Sequence, residues 1–491
     1  MYYPSREDFV ALSKKGNVVP VYAEMLADFD TPLSAFLKID QGDFSYLLES
    51  VEKGENLGRY SFLGSTPSLV IKSKGEKIKV THDGKTREYD MGLDPIAEVK
   101  SIMSKFKFVD IEALPRFCGG LVGYIGYDMV RFIEDIPDDN PEDFVMPDMH
   151  LVLTDTMLIF DHVDRKIKVV SNAIIDDGPE KAYQDACRKI DALVKKLKNT
   201  LKKPRERITT SKAGKFGSNF SKEEFCEKVE KAKEYIKAGD IIQLVLSQRF
   251  TRDTGADAFS IYRELRSINP SPYMYYLKFG EYKLIGSSPE ILVRCEDGLV
   301  EVRPIAGTRP RGKSEEEDAV LEKELLDDPK EKAEHIMLVD LGRNDIGRVC
   351  DYASIEAKEV MHVEKYSHVM HIVSDVVGKL KKDKDIYDLI RATFPAGTVT
   401  GAPKVRAMEL IDELELSRRG PYAGCVGYIS FSGNLDMCIT IRTIVMREKT
   451  AYVQAGAGIV LDSEPEKEYQ ETVNKAKAMM KAVECSEKGL E

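Results

Sequence analysis

Short runs rich in β-branched and aromatic residues recur through the first 161 residues of the chain. They read FSYLLESV (44–51), SLVIKSKG (68–75), KIKVTHDG (77–84), LVGYIGYD (121–128) and HLVLTDTMLIFD (150–161). Runs of this length and composition are typical of β-strands. The first part of the chain is therefore predicted to be rich in strands, with only a few helices between them.

The length of 491 residues predicts two or three domains. Residues 180–199 combine helical periodicity with an amphipathic charge pattern. The following stretch, 201–220, is basic and contains Pro and Gly, which is typical of an interdomain linker. We therefore predict an N-terminal domain over 1–200 and a second domain over 221–485.

The second domain begins with a helix-start signal. Ser221 and Glu224 have the spacing of a capping box, and Gly239 suits the left-handed position at a helix end. A strand is predicted next, over 241–250. Alternation along that strand places four side chains on one face: Gln243, Val245, Ser247 and Arg249.

Charge and cysteine usage exclude several classes of protein. The formal net charge of −11 argues against binding to nucleic acid or to an anionic membrane surface. No apolar run is long enough to span a bilayer, and the N-terminus lacks the features of a signal peptide. The eight cysteines are scattered without a C-x-x-C pair, which predicts reduced thiols in a cytoplasmic protein.

Two predicted helices carry glutamates in notable positions. Glu334 lies on a face that it shares with Leu338 and Leu341, whereas Glu471 is four residues before Lys475. Exposed side chains and an i,i+4 ion pair explain this spacing without any function. A magnesium site explains it too, because Mg²⁺ commonly takes one or two protein carboxylates and completes its shell with water and substrate. Spacing alone favours the first interpretation.

A second pair of features suggests an anion site. The run VQAGAGIV places Gly456, Ala457 and Gly458 in a strand, where small residues let backbone amides approach a bound anion. Packing between elements would explain these residues equally well. Arg442 lies in the apolar run CITIRTIV, which we interpret as one strand, and a guanidinium there needs an anionic partner such as a carboxylate.

Taken in order, the motifs resemble those of the chorismate-utilising enzymes, most closely the component I (large-subunit) family of anthranilate synthases. The resemblance covers nearly the whole chain and implies an α/β (α+β) fold of large β-sheets flanked by helices, with an N-terminal regulatory part and a C-terminal catalytic part. The motifs are LLES, GRYSFLG, NPSPYMYYL, GSSPEILVR, RPIAGTRPRG, EHIMLVDLGRND, YSHVMHIVSDVVG, FPAGTVTGAPK, GYISFSGNLDMCITIRT, QAGAGIVLDSEPEKEYQET and NKAKA.

The resemblance implies a role for many of these residues. Glu334 and Glu471 match the family's Mg²⁺ ligands, and Glu290 matches the proposed general acid for the departing C4 hydroxyl. Such an acid must stay protonated, so its pKa is expected to be raised by burial or by nearby carboxylates. His371 is assigned to the elimination of pyruvate, and Thr398 is a further candidate. The positions that match chorismate contacts are Gly307, Thr308, Tyr422, Arg442, Gly456, Ala457, Gly458 and Lys475.

Two positions discriminate among the relatives. Members that add water to chorismate have a lysine base where this chain has Gln243, and an amide cannot deprotonate water. Aminodeoxychorismate synthases typically read PIKGT and can use that lysine as a nucleophile, whereas here the residue is Ala306. The remaining reaction is attack of ammonia on chorismate to form anthranilate and pyruvate. The alternatives kept open are component I of aminodeoxychorismate synthase and a catalytically silent tryptophan sensor.

The resemblance also implies regulation and a partner. LLES (47–50) and SPYMYYL (271–277) match the two halves of a feedback site for L-tryptophan, although a strand register and an aromatic core explain them as well. The chain has no nucleophile elbow of a glutamine amidotransferase. Ammonia is therefore expected from a separate amidotransferase subunit, in a heterotetramer of two large and two small subunits. The implied tryptophan contacts are Glu49, Ser50, Pro272, Tyr273 and Met274.

Overall fold

A computed structural model describes residues 1–50, 58–82, 84–92, 94–201, 214–365 and 369–489. The strands are β1 (Val18–Leu26), β2 (Phe44–Glu49), β3 (Tyr60–Ser65), β4 (Leu69–Lys74), β5 (Lys77–His82), β6 (Lys85–Asp90), β7 (Gly120–Ile125), β8 (Met149–Thr154), β9 (Thr156–Asp161), β10 (Lys166–Ile174), β11 (Gly217–Ser218), β12 (Gln243–Asp253), β13 (Tyr273–Phe279), β14 (Tyr282–Ser288), β15 (Ile291–Glu296), β16 (Leu299–Val302), β17 (Ile305–Pro310), β18 (Glu356–Lys365), β19 (Val369–Lys379), β20 (Gly401–Ala402), β21 (Cys425–Ser430), β22 (Leu435–Ile439), β23 (Thr443–Arg447) and β24 (Thr450–Ile459).

The helices are α1 (Arg6–Leu12), α2 (Pro32–Ile39), α3 (Pro95–Met103), α4 (Pro179–Lys198), α5 (Lys222–Ala238), α6 (Ala258–Ile268), α7 (Glu315–Asp327), α8 (Pro329–Gly347), α9 (Ile386–Thr393), α10 (Lys404–Leu414) and α11 (Pro465–Lys488). Short 3₁₀ turns occur at 127–132, 352–354 and 397–399. None of these helices is both long and apolar enough to cross a membrane. The eight cysteines are all free thiols, as predicted, and most are buried.

The strands form two large antiparallel sheets. The first has the order β1-β10-β9-β3-β2-β13-β14-β23-β24-β12-β11, with β20 also paired to β12. The second has the order β17-β19-β16-β15-β22-β21-β7-β8-β4-β5-β6, with β18 also paired to β19. Together with the helices around them, these sheets confirm the predicted α/β class with large sheets.

Both sheets contain strands from either side of the predicted linker. The first sheet joins the two parts of the chain where β2 pairs with β13, and the second joins them where β7 pairs with β21. Most of the linker, 202–213, lies outside the described residues, and Gly217–Ser218 pairs with β12. The assignment of regulatory and catalytic roles to the two parts remains a prediction.

An aromatic core lies between the two sheets. It includes Tyr46 and Tyr275 from the first sheet and Tyr124 and Tyr428 from the second, all buried. Helices α4, α6 and α11 contribute apolar residues to a second cluster with the first sheet, and α3, α9 and α10 contribute to another cluster with the second. Each sheet thus buries both faces, as close-packed layers of secondary structure require.

Local sequence signals account for several element boundaries. Helix α5 begins with the predicted capping box, in which Ser221 and Glu224 exchange side-chain-to-backbone hydrogen bonds, and it ends at Gly239 with φ of 85°. The run 150–161 has the predicted strand character, but it forms two strands rather than one. The chain passes between the sheets at the buried Asp155, so β8 belongs to the second sheet and β9 to the first. Strand periodicity does not reveal which sheet a residue joins.

Candidate active site

The candidate site begins at an unpaired stretch of β24. Strand β23 pairs only with residues 450–453 of β24, whereas β12 pairs with residues 450–459. Residues 454–459 therefore keep β12 as their only strand partner in the described part of the chain. From α11, the Lys475 ammonium donates a hydrogen bond to the Gly456 carbonyl at 3.0 Å. A cation and one strand edge thus lie beside the predicted anion site.

Small residues in β24 make room for two polar side chains. A Cβ atom added to Gly456 would lie 2.7 Å from the Tyr422 hydroxyl, and one added to Gly458 would lie 2.6 Å from the Gln243 amide nitrogen. Ala457, between them, is fully buried. Both distances are shorter than a normal contact, so a larger residue would displace the Tyr422 hydroxyl or the Gln243 amide. The two glycines therefore leave room for the side chains of Tyr422 and Gln243. Any exposure of their backbone amides to an anion would be an additional effect.

Arg442 lies in a turn, so the prediction that it belongs to an apolar strand is wrong. Strand β22 ends at Ile439 in the second sheet and β23 begins at Thr443 in the first, and the chain crosses between them. Arg442 has φ of 51° there and donates to the Lys475 carbonyl at 3.1 Å. Burial lowers its pKa, and no carboxylate in the described residues forms an ion pair with it. A partly buried guanidinium in this position can accept an anionic ligand.

Helices α8 and α11 bring acidic side chains together. Burial raises the pKa of Glu334, and the carboxylates of Glu331 and Glu471 raise it further. The pKa of Glu468 is raised by burial and, more weakly, by Glu471. Glu471 also forms the predicted i,i+4 ion pair with Lys475, at 2.7 Å. In the described residues, three or more potential metal ligands do not converge at any point. The carboxylates of α8 and α11 thus influence one another electrostatically.

Glu290 stands at the start of β15 in the environment expected for a general acid. Burial raises its pKa to about 7, against the opposing influence of the Thr398 hydroxyl and the Lys475 ammonium. The Thr398 hydroxyl is buried near this carboxyl group. A carboxylic acid with a pKa near 7 can donate a proton at physiological pH. The expectation of a raised pKa is confirmed, with desolvation as its main cause.

A β-bulge positions His371 against two predicted substrate residues. The register between β17 and β19 shifts between Ala306 and Arg309, so Gly307 and Thr308 bulge out of the ladder opposite His371. Gly307 adopts a φ of 65°, which favours glycine. The His371 Nδ1 atom lies 2.8 Å from the Gly307 carbonyl oxygen and 3.1 Å from the Thr308 hydroxyl.

The carbonyl fixes the tautomer of His371. Because a carbonyl oxygen only accepts hydrogen bonds, Nδ1 carries the proton and Nε2 is the basic atom. Burial lowers the pKa of His371, and the nearby Arg442 guanidinium lowers it further. The imidazole is therefore neutral at physiological pH, which suits a base. The influence of Arg442 also shows that the histidine and the anion site are neighbours.

The two predicted halves of the tryptophan site are adjacent strands. Met274 in β13 is directly opposite Glu49 in β2, at the first junction between the two parts of the chain. The Glu49 carboxylate already accepts hydrogen bonds from the Tyr262 hydroxyl and from Arg266 at 3.1 Å. The Ser50 hydroxyl is buried without a hydrogen-bond partner in the described residues. Pro272 is buried beside them, and Tyr273 donates to Asp436 at 2.9 Å.

Comparison with known proteins places this site in a family. The family model described as chorismate binding enzyme matches residues 44–481. The chain belongs to the chorismate-binding enzyme family. Among its relatives, the anthranilate synthase component 1 of Aquifex aeolicus is 53% identical over 99% of both chains, and that of Acetivibrio thermocellus is 50% identical over 99% of both chains.

Solved structures of chorismate-binding enzymes share the fold. Anthranilate synthase component I from Streptococcus pneumoniae superimposes with a TM-score of 0.77 at 37% identity, covering 93% of this chain and 99% of that one. The menaquinone-specific isochorismate synthase MenF from Escherichia coli has a TM-score of 0.71 at 19% identity, covering 98% and 99%. The second likeness concerns the fold alone.

Sequence reasoning missed two groups at this candidate site. Glu468 lies one turn before Glu471 and shares its electrostatic environment. Arg419 and Glu415 form a buried ion pair in contact with several site elements. In the sequence, Arg418 and Arg419 read as an ordinary charged turn, and Glu415 as a helix-end acid. The only signal in the sequence was that Arg418 and Arg419 stand shortly before Tyr422 in the chain.

Proposed function

We propose that this chain is the chorismate-converting component of anthranilate synthase, which forms anthranilate and pyruvate from chorismate and ammonia. The observation that carries the proposal is Arg442, a partly buried guanidinium with a backbone carbonyl as its hydrogen-bond acceptor. Chorismate is a dianion, and Lys475 and residues 456–458 lie beside Arg442 to share its two carboxylates. The identity of 50–53% with anthranilate synthase component 1 supports the same assignment.

The first chemical step uses Glu290. Ammonia attacks C2 of chorismate, the ring double bonds shift, and the C4–O bond breaks as Glu290 gives its proton to the departing hydroxyl. With a pKa of about 7, a large fraction of Glu290 holds that proton at neutral pH. The ammonium nitrogen then loses a proton, and the product of this step is 2-amino-2-deoxyisochorismate. Thr398, beside Glu290, is placed to orient the acid.

The second step uses His371. Its Nε2 atom takes the proton from C2, the electron pair completes the aromatic ring, and the bond from C3 to the enolpyruvyl oxygen breaks. The leaving enolate becomes pyruvate after protonation. The bond from Nδ1 to the Gly307 carbonyl holds the required tautomer, and the lowered pKa keeps the base neutral.

Glu334 and Glu471 are the proposed ligands of Mg²⁺. Their donor chemistry fits, because Mg²⁺ prefers carboxylate oxygens and leaves positions for water and substrate. Burial and the neighbouring carboxylates of Glu331 and Glu471 raise the pKa of Glu334, and a divalent cation would offset the repulsion between these charges. When bound, Mg²⁺ would stabilise the negative charge of the substrate carboxylate and of the transition state.

Regulation and partnership extend the proposal. L-Tryptophan is proposed to bind at the β2–β13 junction, where its ammonium would share Glu49 and its polar groups would meet Ser50; Pro272, Tyr273 and Met274 complete the set. Ammonia is proposed to come from an amidotransferase subunit, in a heterotetramer. The free cysteines support a reducing, cytoplasmic compartment.

One assay tests the proposal. Purified chain is incubated with chorismate, Mg²⁺ and ammonium, and anthranilate fluorescence is followed with and without tryptophan. Since the chain contains no Trp, its own emission interferes little. Absence of anthranilate from folded protein would refute the activity. Accumulation of 4-amino-4-deoxychorismate instead would favour aminodeoxychorismate synthase, and a tryptophan complex without turnover would favour the silent sensor.

A further inference from the structure

A buried ion pair lies beneath the candidate active site. Arg419 is 2% exposed and Glu415 is 5% exposed. The guanidinium donates to both carboxylate oxygens, at 3.0 Å from Nε and 2.6 Å from Nη2. Removing two charges from water is costly, and a buried pair is often no more stabilising than apolar side chains of similar size. Stability alone therefore does not explain this pair.

The remaining donors and acceptors of the pair connect two backbone segments. Arg419 Nη1 donates to the Val399 carbonyl at 2.7 Å, at the end of the turn that carries Thr398. Arg419 Nη2 donates to the Val245 carbonyl in β12 at 2.7 Å. Glu415 accepts from both the amide and the hydroxyl of Ser247 in the same strand, each at 2.8 Å.

Both segments lead directly to site residues. The turn at 397–399 presents Thr398 near Glu290. Strand β12 begins at Gln243, whose amide approaches Gly458, and it pairs with residues 456–458 of β24. The Arg419 guanidinium therefore supports two stretches of backbone: the turn that carries Thr398, next to the acid Glu290, and the strand that pairs with residues 456–458.

The third contact is with an aromatic ring of the site. The Arg419 guanidinium carbon lies 5.5 Å from the ring centroid of Tyr422 and 4.8 Å from that of Tyr127. Both distances are within the range of cation–π attraction. Tyr422 in turn directs its hydroxyl towards Gly456. A planar, permanently charged group can satisfy these contacts together, and an ammonium cannot.

We propose that Arg419, held by Glu415, is a positioning residue for chorismate conversion, which aligns the Thr398 turn, strand β12 and the Tyr422 ring. The proposal rests on the functions proposed above for Thr398 and Tyr422. Arg419 itself does not contact the reacting atoms; it acts through these three elements.

The main test is R419K, which keeps the charge and loses the fork of donors. We expect kcat for anthranilate formation to fall at least tenfold. The matched control is R252K, at the other end of β12. Arg252 is 8% exposed and pairs with Glu484 and Glu487 near the end of α11, beyond the site residues Glu471 and Lys475. We expect this control to retain kcat within twofold while its melting temperature falls as much as that of R419K.

A double-mutant cycle separates positioning from general stability. If Arg419 acts through the turn at 397–399, the losses of kcat in R419K and T398A will not multiply, and the double variant will be at most threefold worse than the worse single variant. Multiplying losses, or a T398A variant with normal kcat, would overturn the proposal.

Two further outcomes remain decisive. If R419K does not fold, E415Q replaces R419K in the same double-mutant cycle. E415Q keeps the Arg419 guanidinium and weakens the hydrogen bonds that Glu415 accepts from it. Wild-type protein is measured in parallel, so failure of the two proposals can be distinguished. An inactive wild type refutes the proposed function, whereas an active wild type with normal kcat in R419K refutes positioning by Arg419.

Discussion

Replacement of Arg442 by Met should weaken catalysis and stabilise the free protein at the same time. The guanidinium donates to the Lys475 carbonyl, and no described carboxylate neutralises it. Its counter-ion is proposed to be a carboxylate of chorismate. Methionine fills similar space without charge, so R442M removes both the substrate contact and the cost of an unpaired buried cation.

The structure sets the size of both effects. Loss of one or two charge-assisted hydrogen bonds costs about 3 kcal/mol, which lowers kcat/KM about 150-fold. Relief of the desolvated charge returns about 1–3 kcal/mol to the free protein. Unfolding entropy scales with length, and for 491 residues each kcal/mol corresponds to about 1 °C. The melting temperature of R442M should therefore rise by about 1–3 °C.

Steady-state anthranilate fluorescence and thermal melting with and without chorismate measure the two effects. The control is R447M at the end of β23, because the half-exposed Arg447 donates to the Val145 carbonyl at 3.3 Å and lies 3.8 Å from the Glu281 carboxylate, neither of which is a site residue. We expect no change in kcat/KM there. The reasoning would be refuted by a kcat/KM for R442M within threefold of wild type, or by a melting temperature several degrees lower.

Four further predictions concern Glu290, Gly456 and Ser50. With E290Q, kcat should fall about 100-fold or more with little change in KM, since general acid catalysis contributes about 10²–10⁴-fold. Above a pH of about 7, the protonated fraction of Glu290 falls while the fraction of free ammonia rises. At fixed total ammonium the two effects cancel, so the wild-type rate should be constant from pH about 7 up to the pKa of ammonium. A rate that rises tenfold per pH unit in this range would contradict the role of Glu290 as the general acid. G456A should raise KM for chorismate about tenfold, because its Cβ meets the Tyr422 hydroxyl, whereas G217A, where a Cβ meets open space, should change nothing. S50A should raise the tryptophan concentration for half-inhibition about fivefold, with S45A in β2, the strand that ends just before Ser50, as the control; equal inhibition of S50A and wild type would remove Ser50 from the site.

Local signals in the sequence predicted the elements that depend on nearby residues. The capping box and Gly239 bound helix α5 as expected, and the i,i+4 spacing of Glu471 and Lys475 formed an ion pair. These signals act within one helical turn, where no knowledge of the fold is needed.

The sequence did not predict where the chain passes from one sheet to the other. The runs 150–161 and CITIRTIV are continuous in hydrophobicity, yet each divides between the two sheets, at Asp155 and at Arg442. Residues on both sides of such a crossing face a core, so the apolar pattern continues while the hydrogen-bond partners change.

The sequence by itself determined the chemical inventory of this protein: the order of the motifs, the carboxylates, the histidine and the lack of a lysine at positions 243 and 306. Tertiary structure alone decided how these groups act on each other. Burial raises the pKa of Glu290 and lowers that of His371, and two helices bring Glu334 towards Glu471, which is 137 residues further along the chain. Desolvation and strand pairing depend on neighbours that are distant in sequence, so no local pattern contains them.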